Sequence, residues 1–258
     1  MSTLLERTLR HDRIVVMAAI TSVTVLAWSY TVWLAAAMNM PGGLHGAMAA
    51  VIAPWTAGQF LMMWVMWAVM MVGMMLPSVT PMCLIYARVA RHASGEGRPI
   101  ASAGWFAGGY LLAWAIFALA AILAQWLLEQ AALLSPMALR VSGVLGGAIL
   151  VMAGLFQFTP WKDACLSQCQ SPLIFIQRNG GFRRDPRGSI LLGARHGLYC
   201  IGCCWALMCL LFVAGIMNVV WIAAITVFVL LEKIAPASFH VSRIAGAALV
   251  AIGAWTLS

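Results

Sequence analysis

The feature that most constrains this chain is a series of apolar stretches too long for the core of a soluble domain. The stretch that follows Arg13 extends to about Met38, and similar stretches recur along the 258 residues. A helix of about 20 apolar residues is long enough to cross the hydrocarbon layer of a bilayer. Only 9% of the residues are charged, against about a quarter in soluble domains. The sequence therefore predicts an integral membrane protein.

We predict an all-α fold, a polytopic membrane helical bundle of about seven transmembrane helices, or about six if one of the last two short stretches is re-entrant. Alternating ten-residue segments, which would indicate a barrel, do not occur. The first stretch is about twice the length of a signal-peptide apolar region, so we expect it to remain as a helix. Residues 1–258 then form a single integral membrane domain.

The net charge of +8 is distributed in a way that predicts orientation rather than nucleic-acid binding. Lys and Arg precede the first helix and crowd two loops near residues 88–98 and 162–195, whereas residues 39–57 and 129–136 contain neither. This is the positive-inside pattern. It predicts a cytoplasmic N-terminus, a cytoplasmic Cys- and Arg-bearing loop at 159–189, an outer Met- and His-bearing loop at 38–56, and no nucleic-acid partner.

The second predicted helix carries a dense run of methionines. At about 100° per residue, side chains four positions apart lie along one stripe of a helix, and Met62 to Met74 repeat at that spacing. Thioethers are soft, uncharged ligands that suit Cu(I). The candidate ligands here are Met62, Met66, Met70, Met74, Met75, Met82 and Cys83. The alternative is that the methionines only fill the core. We also expect Pro77 and Pro81 to kink or unwind the end of this helix.

A cysteine cluster marks the fifth predicted helix, which we expect to open at His196. Cys200, Cys204 and Met208 follow one another at four-residue steps, and Cys203 completes a C-x-x-C pair with Cys200. This spacing places two thiols and a thioether on one helix face. The alternative is that these cysteines are small packing residues.

Four further residues are candidates for binding a cation. Cys165 and Cys169 form a C-x₃-C pair in the 159–189 segment, which its Pro and Gly residues predict to be irregular. His45 lies among methionines in the 38–56 loop and is a candidate soft-metal ligand. Glu232 ends the sixth predicted helix, where it is expected to pair with Lys233, an arginine or a translocating cation.

Together these ligands predict a soft-metal protein, with Cu(I) as the metal and no organic cofactor. Thioethers predominate toward the outside and thiols toward the inside, which favours inward movement or handover of Cu(I), because thiols persist in a reducing cytosol. Catalytic triads, P-loops and dinucleotide motifs are not found, and no catalytic residue is predicted. A thiol-disulfide oxidoreductase using Cys200 and Cys203 with Cys165 and Cys169 is the alternative, as is a structural subunit of a membrane complex.

Several motifs resemble a bacterial family of predicted metal-binding integral membrane proteins, a domain of unknown function. They are Met74-Met75-Leu76-Pro77 with Pro81-Met82, the segment from Gly197 to Met208, and Leu231-Glu232-Lys233 with Pro236. The resemblance covers roughly Trp55 to Trp255 and implies a multi-pass bacterial inner-membrane protein. Its expected partners are the lipid bilayer, a second copy or a membrane enzyme, and a cytoplasmic or periplasmic metal carrier. The second helix is also similar to the MxxxM pore motif of eukaryotic copper-uptake trimers.

Overall fold

The computed structural model describes residues 2–39, 55–95, 100–135, 140–141, 143–235 and 240–258. Within these ranges the regular secondary structure is helical apart from two short strands, β1 (Leu134–Ser135) and β2 (Arg140–Val141), which pair antiparallel. The helices are α1 (Ser2–Asn39), α2 (Ala57–Gly95), α3 (Ala103–Gln130), α4 (Gly143–Phe156), α5 (Pro160–Gln170), α6 (Pro172–Arg178), α7 (Pro186–Cys209), α8 (Leu211–Ala214), α9 (Val219–Ile234) and α10 (Val241–Leu257). The predicted all-α class is confirmed.

Each of the seven predicted helices has a counterpart in the structure, but fewer have the dimensions of a membrane span. In the described ranges, four helices are long and apolar enough to cross a bilayer, and a fifth span results if α4 and α5, bent by 66°, count as one. The helices α9 and α10 have only 16 and 17 residues. A full crossing needs about 20 residues, which is why the predicted number exceeds the number found.

Helix α2 lies at the centre of the bundle, in contact with α1, α3 and α9. The predicted unwinding at Pro77 and Pro81 is wrong, since α2 continues through both prolines to Gly95. Pro77 lacks the N–H that would bond to the carbonyl of Gly73 four residues earlier. Trp28 of α1 supplies the missing donor, with its indole Nε1 at 3.2 Å from the Gly73 oxygen. A neighbouring helix thus satisfies the freed carbonyl and the helix persists.

The segment between Thr159 and Ser189 is mostly helical rather than irregular as predicted. The Thr159 side chain accepts a hydrogen bond from the backbone N–H of Lys162 and begins α5. Asp185 accepts one from the N–H of Gly188 and begins α7, with Pro186 in the first turn. Side-chain caps followed by proline are strong helix starts. Helix α7 therefore begins ten residues before the predicted start at His196, and its cysteines lie in the helix interior.

Helices α3 and α7 approach each other closely through glycines. A Cβ at Gly109 would lie 2.0 Å from the backbone oxygen of Ile190, and one at Gly193 would lie 1.9 Å from that of Phe106. Only glycine permits this separation of the two backbones. The contact sets the position of α7, and hence of its cysteines, against Tyr110 of α3.

Candidate metal site

One face of α7 presents a row of four side chains with metal-binding atoms. His196, Cys200, Cys204 and Met208 follow at four-residue steps, and each is at least 96% buried. The predicted stacking of the last three is therefore present, and the longer α7 adds His196 to the row. Cys203 is also buried, one residue before Cys204. The row thus carries one imidazole, two thiols and a thioether along about 18 Å of helix.

Four thiols from two helices lie close together. The thiol of Cys169 on α5 is near those of Cys200 and Cys203 on α7, and so is the thiol of Cys204. The sulfurs of Cys203 and Cys204 each lie 3.0 Å from the backbone oxygen of Cys200. We call Cys169, Cys200, Cys203 and Cys204 the thiol cluster. Cys165 lies one turn before Cys169 and packs against α7 beside the thiol cluster. A Cβ added to Gly202, next to Cys203, would lie 2.9 Å from the Cys165 sulfur.

Cys200 is the member of the thiol cluster with the most polar contacts. Lys233 of α9 donates to its sulfur from Nζ at 2.9 Å, and Oη of Tyr110 lies 3.1 Å from the same sulfur. Lys233 also donates to Oγ of Ser78 at 2.8 Å. Tyr110 and Ser78 in turn donate to the backbone oxygen of Met75, at 3.1 and 2.8 Å. These contacts link α2, α3 and α9 to Cys200 of α7.

The methionines of α2 are buried with one exception among those predicted. The buried predicted ligands of this helix are Met66, Met70, Met74, Met75, Met82 and Cys83. Met62 is 49% exposed, while Met63 beside it is buried. A step of four residues rotates about 40° around a helix, so that three steps accumulate about 120°. Met62 has consequently rotated off the inward face, and Met63 occupies the inward position at that level.

The sulfur-bearing parts of α2 and α7 lie in one continuous buried core. Tyr110 and Lys233 bridge them, since each contacts both Cys200 and the Met75–Ser78 turn of α2. Within the described ranges, no group of three or more His, Cys, Asp or Glu side chains is arranged to hold a metal ion. Metal binding by these residues stays a prediction. His45, the candidate ligand in the predicted 38–56 loop, lies outside the described residues.

Glu232 pairs with Lys162 of α5, and not with Lys233 or an arginine as predicted. Its Oε1 lies 2.6 Å from Nζ of Lys162, and the two side chains are 2% and 0% exposed. Lys162 also donates to the side-chain oxygen of Gln157. The amide of Gln170 donates to the backbone oxygen of Glu232 at 2.8 Å. The consecutive residues Glu232 and Lys233 thus connect α9 to both cysteine-bearing helices.

Sequence reasoning missed several residues around the thiol cluster. Lys233 carried a usable signal, because a lysine at the end of an apolar helix is costly unless it has a partner. Lys162 had the same signal, obscured by the basic segment around it. Tyr110 and Ser78 had no signal, because their importance depends on which helices meet.

Comparison with known proteins agrees with a role in copper chemistry. A family model described as "PpoB2: Copper chaperone" matches residues 64–256. This range agrees with the region of resemblance expected from the motifs, and includes the methionines from Met66 onward and the whole thiol cluster. No curated protein and no solved structure matches the chain.

Proposed function

The chain belongs to the PpoB2 family of copper chaperones, and from this premise we propose that it is a membrane protein that holds Cu(I) at the thiol cluster and passes it to a partner protein. The supporting observation is the proximity of four free cysteines on α5 and α7. Thiolates select Cu(I) over harder cations. Cys200 and Cys204 would be the main ligands, with Cys169 and Cys203 as exchange partners.

The charges around the cluster are suited to a monovalent metal. A Cu(I) ion bound by two thiolates carries one net negative charge. Burying an unpaired charge is costly, and a partner of opposite sign offsets much of that cost. The ammonium group of Lys233, at 2.9 Å from the Cys200 sulfur, would bring this complex to neutrality. A divalent ion with the same two thiolates would form a neutral complex and leave the positive charge of Lys233 without a partner.

We propose that the buried methionines of α2 deliver the ion to the thiols. Thioethers bind Cu(I) without losing a proton, and thiolates bind it more strongly. The run of methionines from Met66 to Met75 leads to the Met75–Ser78 turn, which Lys233 and Tyr110 connect to Cys200. In a bacterial inner membrane with a cytoplasmic N-terminus, this order of ligands supports inward handover. The long apolar helices support the membrane location.

The proposal is tested by titrating the purified protein, in detergent under anaerobic and reducing conditions, with Cu(I) in competition with a chromogenic Cu(I) chelator. We expect one tightly bound ion per chain and its loss in Cys200→Ser and Cys204→Ser. Cys209→Ser is the matched control, because Cys209 lies on the same helix but is only half-buried and outside the cluster. Binding that survives both cluster substitutions would contradict the proposal.

The same preparation separates the copper proposal from the oxidoreductase alternative. Alkylation of the protein after mild oxidation with diamide, followed by mass measurement, reports whether Cys200 and Cys203 become a disulfide. A chain that forms this disulfide reversibly and does not retain Cu(I) in the reduced state would be an oxidoreductase. A chain that retains Cu(I) and protects these two thiols from alkylation when loaded would be a chaperone.

A further inference from the structure

The carboxylate of Glu129, near the end of α3, is held in place by two neutral side chains. The indole nitrogen of Trp55 donates to Oε2 of Glu129 at 3.0 Å, and the amide nitrogen of Gln125 donates to Oε1 at 2.9 Å. The residue is only partly buried. Among the described residues, no basic side chain forms an ion pair with it, and Arg140 in β2 is exposed. The negative charge of Glu129 is therefore oriented but not neutralised.

Charged residues are scarce in the sequence around this carboxylate. Glu129 is the only acidic residue in the stretch 97–162, and the stretches 39–57 and 129–136 contain no Lys or Arg. Tyr110, which contacts the thiol cluster, lies earlier on the same helix. At about 1.5 Å per residue, Glu129 is about 28 Å further along α3 than Tyr110. An isolated negative charge thus lies at the end of α3 that is remote from the thiol cluster.

A chain of hydrogen bonds connects Glu129 to the buried methionines of α2. The side-chain oxygen of Gln125 accepts a hydrogen bond from Nε1 of Trp67 at 2.8 Å. Gln125 and Trp67 are 1% and 0% exposed, so the chain reaches the interior of the bundle. Trp67 follows Met66 directly and lies one turn after Met63, and both methionines are buried. The carboxylate is therefore linked to the end of the methionine run that lies farthest from the thiols.

We infer that Glu129 marks the entry site for the metal, where its charge attracts the monovalent cation before the methionines of α2 bind it. The inference rests on the proposed copper function. A fixed charge raises the local concentration of ions of opposite sign. A carboxylate suits harder cations than Cu(I), so it attracts the ion without retaining it, and the softer thioether of Met63 binds it next. No electron or proton is transferred in this step.

Stopped-flow mixing of the purified protein, in uncharged detergent, with silver nitrate tests the inference. Ag(I) is a soft monovalent cation that stays free in nitrate solution, and the ultraviolet absorption of its bond to thiolate reports arrival at the cluster. The phase that is lost in Cys200→Ser identifies this arrival.

Glu129→Gln removes the charge and keeps the size of the side chain. We expect it to slow association about fivefold at low ionic strength, the effect of one unit charge at about 4 Å in water. In roughly 1 M sodium nitrate the rates of variant and wild type should agree, because salt screens the charge. The equilibrium affinity should not change, because an entry site affects association and dissociation alike.

Two further variants separate the role of the charge from a structural role. Glu129→Asp keeps the charge on a shorter side chain that cannot make both hydrogen bonds, and it should retain most of the association rate. A purely structural role would reverse this order, with Asp harmful and Gln harmless. Asp163→Asn is the matched control, because it removes one negative charge from an exposed position of α5, and it should associate at the wild-type rate.

The inference would be overturned by a wild-type rate in Glu129→Gln at low ionic strength, or by slowing that persists at high salt. Slowing of the same size in Glu129→Asp or Asp163→Asn would also overturn it. In each of these cases a normal thiolate signal leaves the proposed function standing. A wild-type protein without a thiolate signal would defeat the proposed function, and the entry site with it.

Discussion

The buried ion pair between Lys162 and Glu232 offers the sharpest quantitative test of the structure. Its charged atoms lie 2.6 Å apart in side chains that are 0% and 2% exposed. Removing one partner from such a pair leaves a charge or a strongly polar acid in the interior, and this typically costs about 3–5 kcal/mol. Lys162→Met preserves most of the side-chain volume. We therefore expect it to lower the free energy of unfolding by about 3 kcal/mol, the lower end of that range.

The double variant Lys162→Met with Glu232→Met should be much milder than either single substitution. Replacing both charges with apolar side chains of similar volume is often neutral or stabilising. We expect it to change the free energy of unfolding by less than about 1 kcal/mol, which gives a coupling energy of several kcal/mol in a double-mutant cycle. The coupling energy of an exposed ion pair is at most about 1 kcal/mol. The coupling expected here is several times larger.

These free energies can be measured by equilibrium unfolding in mixed micelles. The protein is native in mild detergent and is denatured by adding SDS. Tryptophan fluorescence and far-UV circular dichroism should report the same transition. The single substitution Asp163→Asn is a matched control at the neighbouring position of α5, where the side chain is exposed. It should change the free energy of unfolding by less than about 0.5 kcal/mol. Single substitutions whose effects simply add in the double variant would refute the buried pair.

Three further substitutions test the sulfur site and its support. Met66, Met70 and Met74 changed together to Leu should keep the helix content and lower the bound copper, because volume is preserved and the soft ligands are lost. Lys233→Met should weaken Cu(I) binding at least about tenfold in the chelator competition, since the bis-thiolate complex keeps a buried negative charge. Trp28→Phe should cost about 1 kcal/mol in the micelle assay, because the carbonyl freed by the proline of α2 loses its donor.

Matched controls come from the same helices. Met62→Leu should leave copper binding unchanged, because this side chain is 49% exposed. Trp33→Phe should leave stability nearly unchanged, because the Trp33 side chain is 64% exposed. Unchanged copper content in the triple methionine variant would reject these thioethers as ligands. Undiminished affinity in Lys233→Met would reject the neutralising role of the ammonium group.

Much of the fold followed from local properties of the sequence. Long apolar stretches predicted the helices, and the all-α class is confirmed. The spacing of Cys200, Cys204 and Met208 predicted a shared helix face, since helical geometry alone fixes which residues of one helix lie together. The helix boundaries were less accurate. Side-chain capping by Thr159 and Asp185 extended helical structure into a segment that its prolines and glycines had marked as irregular.

The contacts between helices could not be predicted in the same way. The place of Met62 outside the core depends on where the neighbours of α2 lie. The choice of Lys162 as the partner of Glu232 depends on the 66° bend that brings α5 back against α7 and α9. These facts involve residues distant in sequence, and hydrophobic periodicity contains no information about which faces meet.

The sequence by itself determined that the chain is a bundle of apolar helices rich in soft ligands, because composition and period are properties of each segment alone. Only the tertiary structure decided which ligands meet. Glycine contacts between α3 and α7 set the position of the cysteine row relative to α3. Helix α9 places Lys233 against Cys200 and Glu232 against Lys162. Buried charges and thiols need partners from other helices, and the packing of the helices selects those partners.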